Sequence, residues 1–116
     1  MTQRSNEKAK LLANPVEHID IASFDGRVII DAWEKMSFTS RDAARAARIL
    51  QQAVADPDCS VILTLAGSTS AGGCMHVWRD MVRNNMIDAI VSTGASIVDM
   101  DFFEALGFKH YQAGEI

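Results

Sequence analysis

The sequence predicts an α/β domain built on a parallel sheet, and three observations carry that prediction. Two short runs, SVILTLA from Ser60 and MIDAIVST from Met86, are rich in β-branched and aliphatic residues. They are too short for independent helices and read as buried strands. Each is followed by a helix-period segment, GGCMHVWRDMVRNN after the first and IVDMDFFEALGF after the second, so the order is strand, helix, strand, helix. That alternation builds a parallel sheet with right-handed crossovers. Finally, both strands break at their carboxyl ends into small-residue loops, AGSTSAGG and STGAS. Ligands of open parallel sheets bind at that edge.

The remaining elements follow in order. Residues 1–13 are polar and charged up to Leu11 and read as a flexible N-terminal arm. Pro15 punctuates the chain, and VEHIDIASFDG after it suits a short extended segment. Asp25-Gly26 then gives a turn that opens a helix. RVIIDAWEKM places Val28, Ile29, Ala32, Trp33 and Met36 on one side at helical spacing, which predicts a short amphipathic helix. Thr39 or Ser40 is the expected N-cap of the next helix, RDAARAARILQQAVA, which DPDC ends. Gly107 is the expected stop of the last helix. The chain shows no internal repeat.

Composition narrows the function classes. The chain has 116 residues, one small domain, with 48% hydrophobic and 22% charged residues. Eleven basic against fifteen acidic residues leave a net charge of −4. That argues against nucleic acid, which calls for a clustered basic face. Arg41, Arg45 and Arg48 recur at helical spacing and read as a solvated face. Two cysteines, Cys59 and Cys74, make no CxxC and no metal-spaced cluster, so reduced thiols in a cytoplasmic protein are expected. No signal peptide is recognisable at the N-terminus, and no run reaches the about 18 apolar residues of a membrane span.

The two loops are where chemistry is expected. Gly67, Gly72, Gly73 and Gly94 allow close backbone approach to a ligand. Ser68, Thr69, Ser70, Ser92, Thr93 and Ser96 add hydroxyls, and a helix N-terminus favours anionic oxygens. The set suits a dinucleotide's pyrophosphate or ribose. It equally suits a plain turn, because the first loop is neither GxGxxG nor a P-loop.

Taken together, LAGSTSAGG, VRNNMIDAIVSTGAS and DFFEALGFKHY resemble deoxyhypusine synthase and its bacterial deoxyhypusine synthase-like relatives. PVEHIDI and DAWEKMSFTSRDAARAARIL resemble the preceding part of that family, so the likeness spans Asn14 to Tyr111. NNMIDAIVSTGA is its most specific piece. The resemblance implies a Rossmann-like parallel sheet with flanking helices. It implies an enzyme that uses NAD to oxidise and cleave spermidine, carries the aminobutyl group on a lysine, and delivers it to a lysine of a translation factor. Some bacterial relatives instead use a small amine acceptor such as putrescine or agmatine and make homospermidine or a related polyamine. The family forms homotetramers with NAD at subunit interfaces.

Carried onto this chain, the resemblance places cofactor contacts at Gly67, Ser68, Thr69, Ser70 and Ala71, and at Thr93, Gly94 and Ala95. It places a polyamine-binding carboxylate at Asp99. Gly67-Ser68 stands where the eukaryotic enzymes have Ser-Asn, and Val98-Asp99 where they have two glutamates, which points toward the bacterial-like branch. Family members are much longer, and their nucleophilic lysine lies in a C-terminal motif that the surroundings of Lys109 do not match. Residues 14–116 are therefore expected to be the N-terminal part of the NAD-binding domain, an incomplete piece of a larger one. It would work as a homo-oligomer or with a complementing C-terminal segment. A non-catalytic NAD-binding or assembly role is the alternative from a different class.

Other candidates have plainer readings. Cys74 at a helix start, with His76 nearby, suggests a thiol nucleophile, but an i, i+2 pair does not share a helix face. Asp99 and Asp101 suggest a metal pair, yet acidic residues are expected in a helix's first turn, and no metal site is assigned. His18 and His110 show no partner in sequence and read as structural or exposed. Trp33, Trp78, Phe102, Phe103 and Phe108 read as core or interface.

Overall fold

The two β-rich runs form the expected sheet. β1 (Ile62–Leu65) and β2 (Ala89–Ser92) pair in parallel, with Ile62 opposite Ala89 and Leu65 opposite Ser92. The computed structural model describes residues 3–112; residues 1–2 of the expected arm and 113–116 of the expected domain lie outside the described residues. Upstream of the sheet lie α1 (Gln3–Leu11), α2 (Arg27–Glu34) and α3 (Phe38–Ala55). Between the strands the chain makes a widened, π-type turn over Ser70–Cys74 and then α4 (Met75–Arg83). After β2 come α5 (Gly94–Ser96), a second wide turn over Ile97–Asp101, and α6 (Phe102–Ala105), run end to end.

Local chemistry sets the boundaries. The Asp25 carboxylate accepts the Arg27 backbone N–H at 2.9 Å and pairs with the Arg27 guanidinium at 2.6 Å, which opens α2 where Asp25-Gly26 predicted. The Arg27 hydrogen bonds hold the Asp25 carboxyl down at about 2. α3 begins earlier than expected. Its cap is Ser37, in extended backbone, and not Thr39 or Ser40. Phe38 then takes a left-handed φ of 54°, a conformation that the sequence gives no cue to. Gly107 ends α6 as predicted. At φ 93° it donates its N–H to the Glu104 carbonyl, while the Phe108 N–H reaches the Phe103 carbonyl. Phe108 and Phe103 meet ring edge to face at 5.9 Å, which completes a Schellman stop with its apolar contact.

The segment that follows α1 meets the C-terminal segment. Pro15 bridges Tyr111 antiparallel, the Val16 N–H donates to the His110 carbonyl at 2.8 Å, and the Gln112 N–H donates to the Asn14 carbonyl at 2.8 Å. The extended stretch after Pro15 is thus held as a strap, residues 14–19, across the C-terminal segment. The arm before it winds into α1, whose residues 4–11 are exposed.

Apolar cover is thin. The buried hydrophobic side chains among the described residues are Ala44, Trp78 and Met81. Neither strand is buried on both faces, as the aliphatic runs suggested. Leu63, Leu65 and Ile90 point inward, whereas Ile62 and Val91 are 61% and 62% exposed. Among the described residues one sheet face therefore stands open, where a parallel sheet requires cover on both. The radius of gyration is 18.1 Å, against about 13 Å for a compact domain of about 100 residues. No helix among the described residues is long and apolar enough to cross a membrane.

Candidate functional site

Parallel pairing of Leu65 with Ser92 makes the two small-residue loops leave the sheet side by side. The Thr93 N–H donates to the Leu65 carbonyl at 3.2 Å. Beyond it, one atom ties the loops together. The Gly67 carbonyl accepts hydrogen bonds from both the Thr93 and the Ser96 hydroxyls, each at 3.1 Å. Gly67 presents that carbonyl from a φ of 72°, which a residue without Cβ adopts freely. The Thr69 hydroxyl lies 3.5 Å from the Ser96 hydroxyl, which is fully buried. The Ser96 side chain, expected among the ligand donors, is thus spent on fastening one loop to the other.

The second loop is also shorter than the sequence suggested. Thr93 is extended and Gly94-Ala95-Ser96 already forms α5, so STGAS is a cap and a first helical turn. Gly94 and Ala95 lie in that turn, with Gly94 exposed and Ala95 half-buried. In the first loop Ser68 and Thr69 are exposed, Ala71 is half-buried and Ser70 is fully buried. The Gly72 N–H reaches the Ser68 carbonyl and the Cys74 N–H the Thr69 carbonyl, which shapes the wide turn. The Ser70 hydroxyl has no hydrogen-bond partner among the described residues. A buried hydroxyl without a partner is costly, and Ser70 shares that state with His18 Nδ1 and one Asp101 oxygen.

The glycines divide into two kinds. A Cβ at Gly67, Gly72 or Gly94 would meet no atom within 4 Å, so the backbone there is open to approach. Gly73 is different. At φ 90° its Cβ would sit 2.8 Å from the Glu17 carbonyl oxygen, and its own carbonyl accepts the Ile19 N–H at 2.8 Å. Its lack of a side chain serves the strap, not a ligand. Ala71 and Gly72 border a cleft of about 580 Å³ together with residues 14–17, Tyr111 and Gln112.

Asp99 sits on the second wide turn, exposed, and its carboxylate makes no hydrogen bond or ion pair among the described residues. Asp101 turns inward, takes the Trp78 indole N–H at 3.3 Å on one oxygen, and leaves the other buried without a partner. No group of three or more His, Cys, Asp or Glu among the described residues is arranged to hold a metal. Cys74 is half-buried, and its neighbour His76 lies ring to ring with His18 at 4.8 Å instead of pairing with the thiol.

Sequence reasoning missed one constellation. The chain has three histidines; two of them bind Glu104 and the third stacks on one of that pair. His18 Nε2 lies 2.5 Å from one Glu104 oxygen and His110 Nδ1 lies 2.7 Å from the other, while His76 stacks on His18. The His18 and Glu104 side chains are nearly buried. Burial pushes the Glu104 carboxyl up, but the hydrogen bonds from His110 and His18 outweigh it and hold the group below its ordinary value. His18 and Glu104 are 86 residues apart, so no local pattern signals the pair.

Comparison with known proteins places the chain. A deoxyhypusine synthase family model matches residues 28–115. A deoxyhypusine synthase-like protein of Caulobacter vibrioides is 72% identical over 109 residues, which cover 94% of this chain and 30% of that protein. One from Coxiella burnetii is 68% identical over 105 residues, 90% of this chain and 30% of its own length. A probable deoxyhypusine synthase of Methanopyrus kandleri is 39% identical over 71 residues, 61% of this chain and 24% of its own. No solved structure matches. The chain spans about 30% of the length of the first two relatives. It belongs to the deoxyhypusine synthase family.

Proposed function

From membership of the deoxyhypusine synthase family we propose that residues 14–116 supply one wall of the NAD site of a transferase. That enzyme moves an aminobutyl group from spermidine or a related polyamine to an amine acceptor. The observation that supports this most is the fastening of two open-backboned loops through the Gly67 carbonyl, at the carboxyl edge of a parallel sheet. The donor set fits the cofactor. Backbone is accessible at Gly67, Gly72 and Gly94, exposed hydroxyls stand at Ser68 and Thr69, and the Ser70 hydroxyl still needs a partner.

Bound there, NAD supplies the acceptor for a hydride from the polyamine carbon. The chain's own residues hold and orient. Gly67, Ser68, Thr69, Ser70 and Ala71 line one side of the cofactor; Thr93, Gly94 and Ala95 line the other. The free, exposed carboxylate of Asp99 accepts charge-assisted hydrogen bonds from a polyamine ammonium. The lysine that carries the aminobutyl group comes from outside residues 14–116. The uncovered sheet and helix faces meet further chain of a cytoplasmic homo-oligomer.

Gly67-Ser68 and Val98-Asp99 favour a second reading on the acceptor side, transfer to a small amine such as putrescine or agmatine instead of a protein lysine. Native mass of the chain with NAD tests the cofactor half, and retained NAD is the expected result. Supplying the remainder of a related subunit and assaying spermidine turnover against a protein lysine and against putrescine then separates the two acceptors. Failure to retain NAD at any concentration would overturn the cofactor reading.

A further inference from the structure

The strap touches both the first loop and the histidine cluster. Its backbone passes close enough to Gly73 that a Cβ there would collide with the Glu17 carbonyl, and the Ile19 N–H bonds the Gly73 carbonyl. Between those two contacts stands His18, whose ring reaches away to Glu104. On its other oxygen Glu104 takes His110, whose backbone carbonyl in turn accepts the Val16 N–H of the strap. Side chain and backbone thus close a circuit from the strap through α6 and the C-terminal segment and back to the strap.

We infer that Glu104 is a positioning residue for the first loop: by gripping His18 and His110 it clamps residues 14–19 against Gly73 and fixes where the Ser70–Cys74 turn lies. The functional half of this inference rests on the proposed cofactor site; the clamp itself does not. A histidine donates an N–H from the ring nitrogen that faces a carboxylate oxygen, so ionised Glu104 satisfies both with its two oxygens. Protonated Glu104 is left with one good acceptor and a competing donor. The charged and titratable groups around it are His18 and Glu17 of the strap, His76 of α4, Asp101 on the wide turn before α6, and Lys109 and His110 of the C-terminal segment.

The sign of the pH dependence follows from the carboxyl's depression. A group held below its ordinary value of 4.5 contributes above that value, and its contribution is lost as the pH falls through the folded value. The clamp is therefore closed at neutral pH and opens in acid.

Amide exchange by NMR on the 116-residue chain tests this without any cofactor. Glu104→Ala is expected to speed exchange at Ile19, Val16 and Gln112 by roughly ten- to a hundredfold, the range for losing charge-assisted hydrogen bonds to a nearly buried group. Amides of β1 and β2 should change far less. In the wild-type chain, protection factors at Ile19 should fall below the ordinary carboxylate range of pH. In Glu104→Gln that acid-linked fall should disappear, which a merely space-filling role would not produce. Unchanged protection at Ile19 in Glu104→Ala would overturn the inference. So would an acceleration shared equally by the sheet, or an acid-linked fall that persists in Glu104→Gln. Glu104-dependent protection in a chain that fails to retain NAD would uphold the clamp and count against the cofactor reading alone.

Discussion

The α2–α3 hairpin and the region that joins the two loops are held by different forces. In the hairpin, the residues that amphipathic spacing marks for burial stay outside. Val28 is 72% exposed, Ile29, Ile49 and Met36 are also exposed, and α3 buries only Ala44. What links the two helices in polar terms is Arg48, which reaches Asp31 at 2.5 Å and Glu34 at 2.6 Å on a solvated surface. The loop region is the reverse. Its bonds join residues far apart in sequence and involve nearly buried groups: Gly67 with Ser96, His18 with Glu104, and Trp78 with Asp101. The contrast teaches that the shape of the candidate site is settled by polar contacts within this chain. The stability of the scaffold, at about 25 cal/mol per Å² of apolar surface, depends on covering faces that stand open here.

Four substitutions probe that contrast, from the largest expected effect to the smallest. Trp78→Ala removes the largest of the buried apolar side chains among the described residues and releases Asp101. A loss of about 3–5 kcal/mol is expected, enough to abolish a cooperative thermal transition followed by circular dichroism. A near wild-type melt would mean that the loop region has other support. Gly73→Ala forces a Cβ toward the Glu17 carbonyl from a left-handed backbone. It should cost about 1–3 kcal/mol in urea titration, together with the Ile19 amide's protection.

Ser96→Ala should cost about 1 kcal/mol and shift the amide signals of Gly67 and Thr69 while leaving α2 and α3 unmoved. Signals that move throughout the molecule would blur the division between the two regions. Arg48→Met should change the melting temperature least, and it should remove what salt sensitivity the hairpin has, because exposed ion pairs are weak and screened. A large loss there would show that solvated ion pairs hold the hairpin as firmly as the nearly buried contacts hold the loops.

What could be read in the sequence was what local pattern controls. The strand–helix alternation, the opening of α2 after Asp25-Gly26 and the stop at Gly107 all rest on residues within a turn of one another, and they stand in the structure as expected. Side-by-side loops followed from parallel pairing. The direction of a side chain did not. A count of hydroxyls cannot tell that Ser96 points into the first loop while Ser68 points to solvent, nor that Gly73 answers to the strap while Gly72 stands open. The Ser37 cap was hidden by the left-handed Phe38 that follows it. The histidine cluster was out of reach for a plainer reason: His18, His76 and Glu104 come from three separate segments that only the folded chain brings together.

The most direct test of the central claim is an NMR titration of the chain with NAD. If the two loops form one site, amides of Gly67 to Ala71 and of Thr93 to Ala95 shift together along a single saturation curve, and those of α2 and α3 stay still. Shifts confined to one loop, or none at saturating NAD, would contradict it.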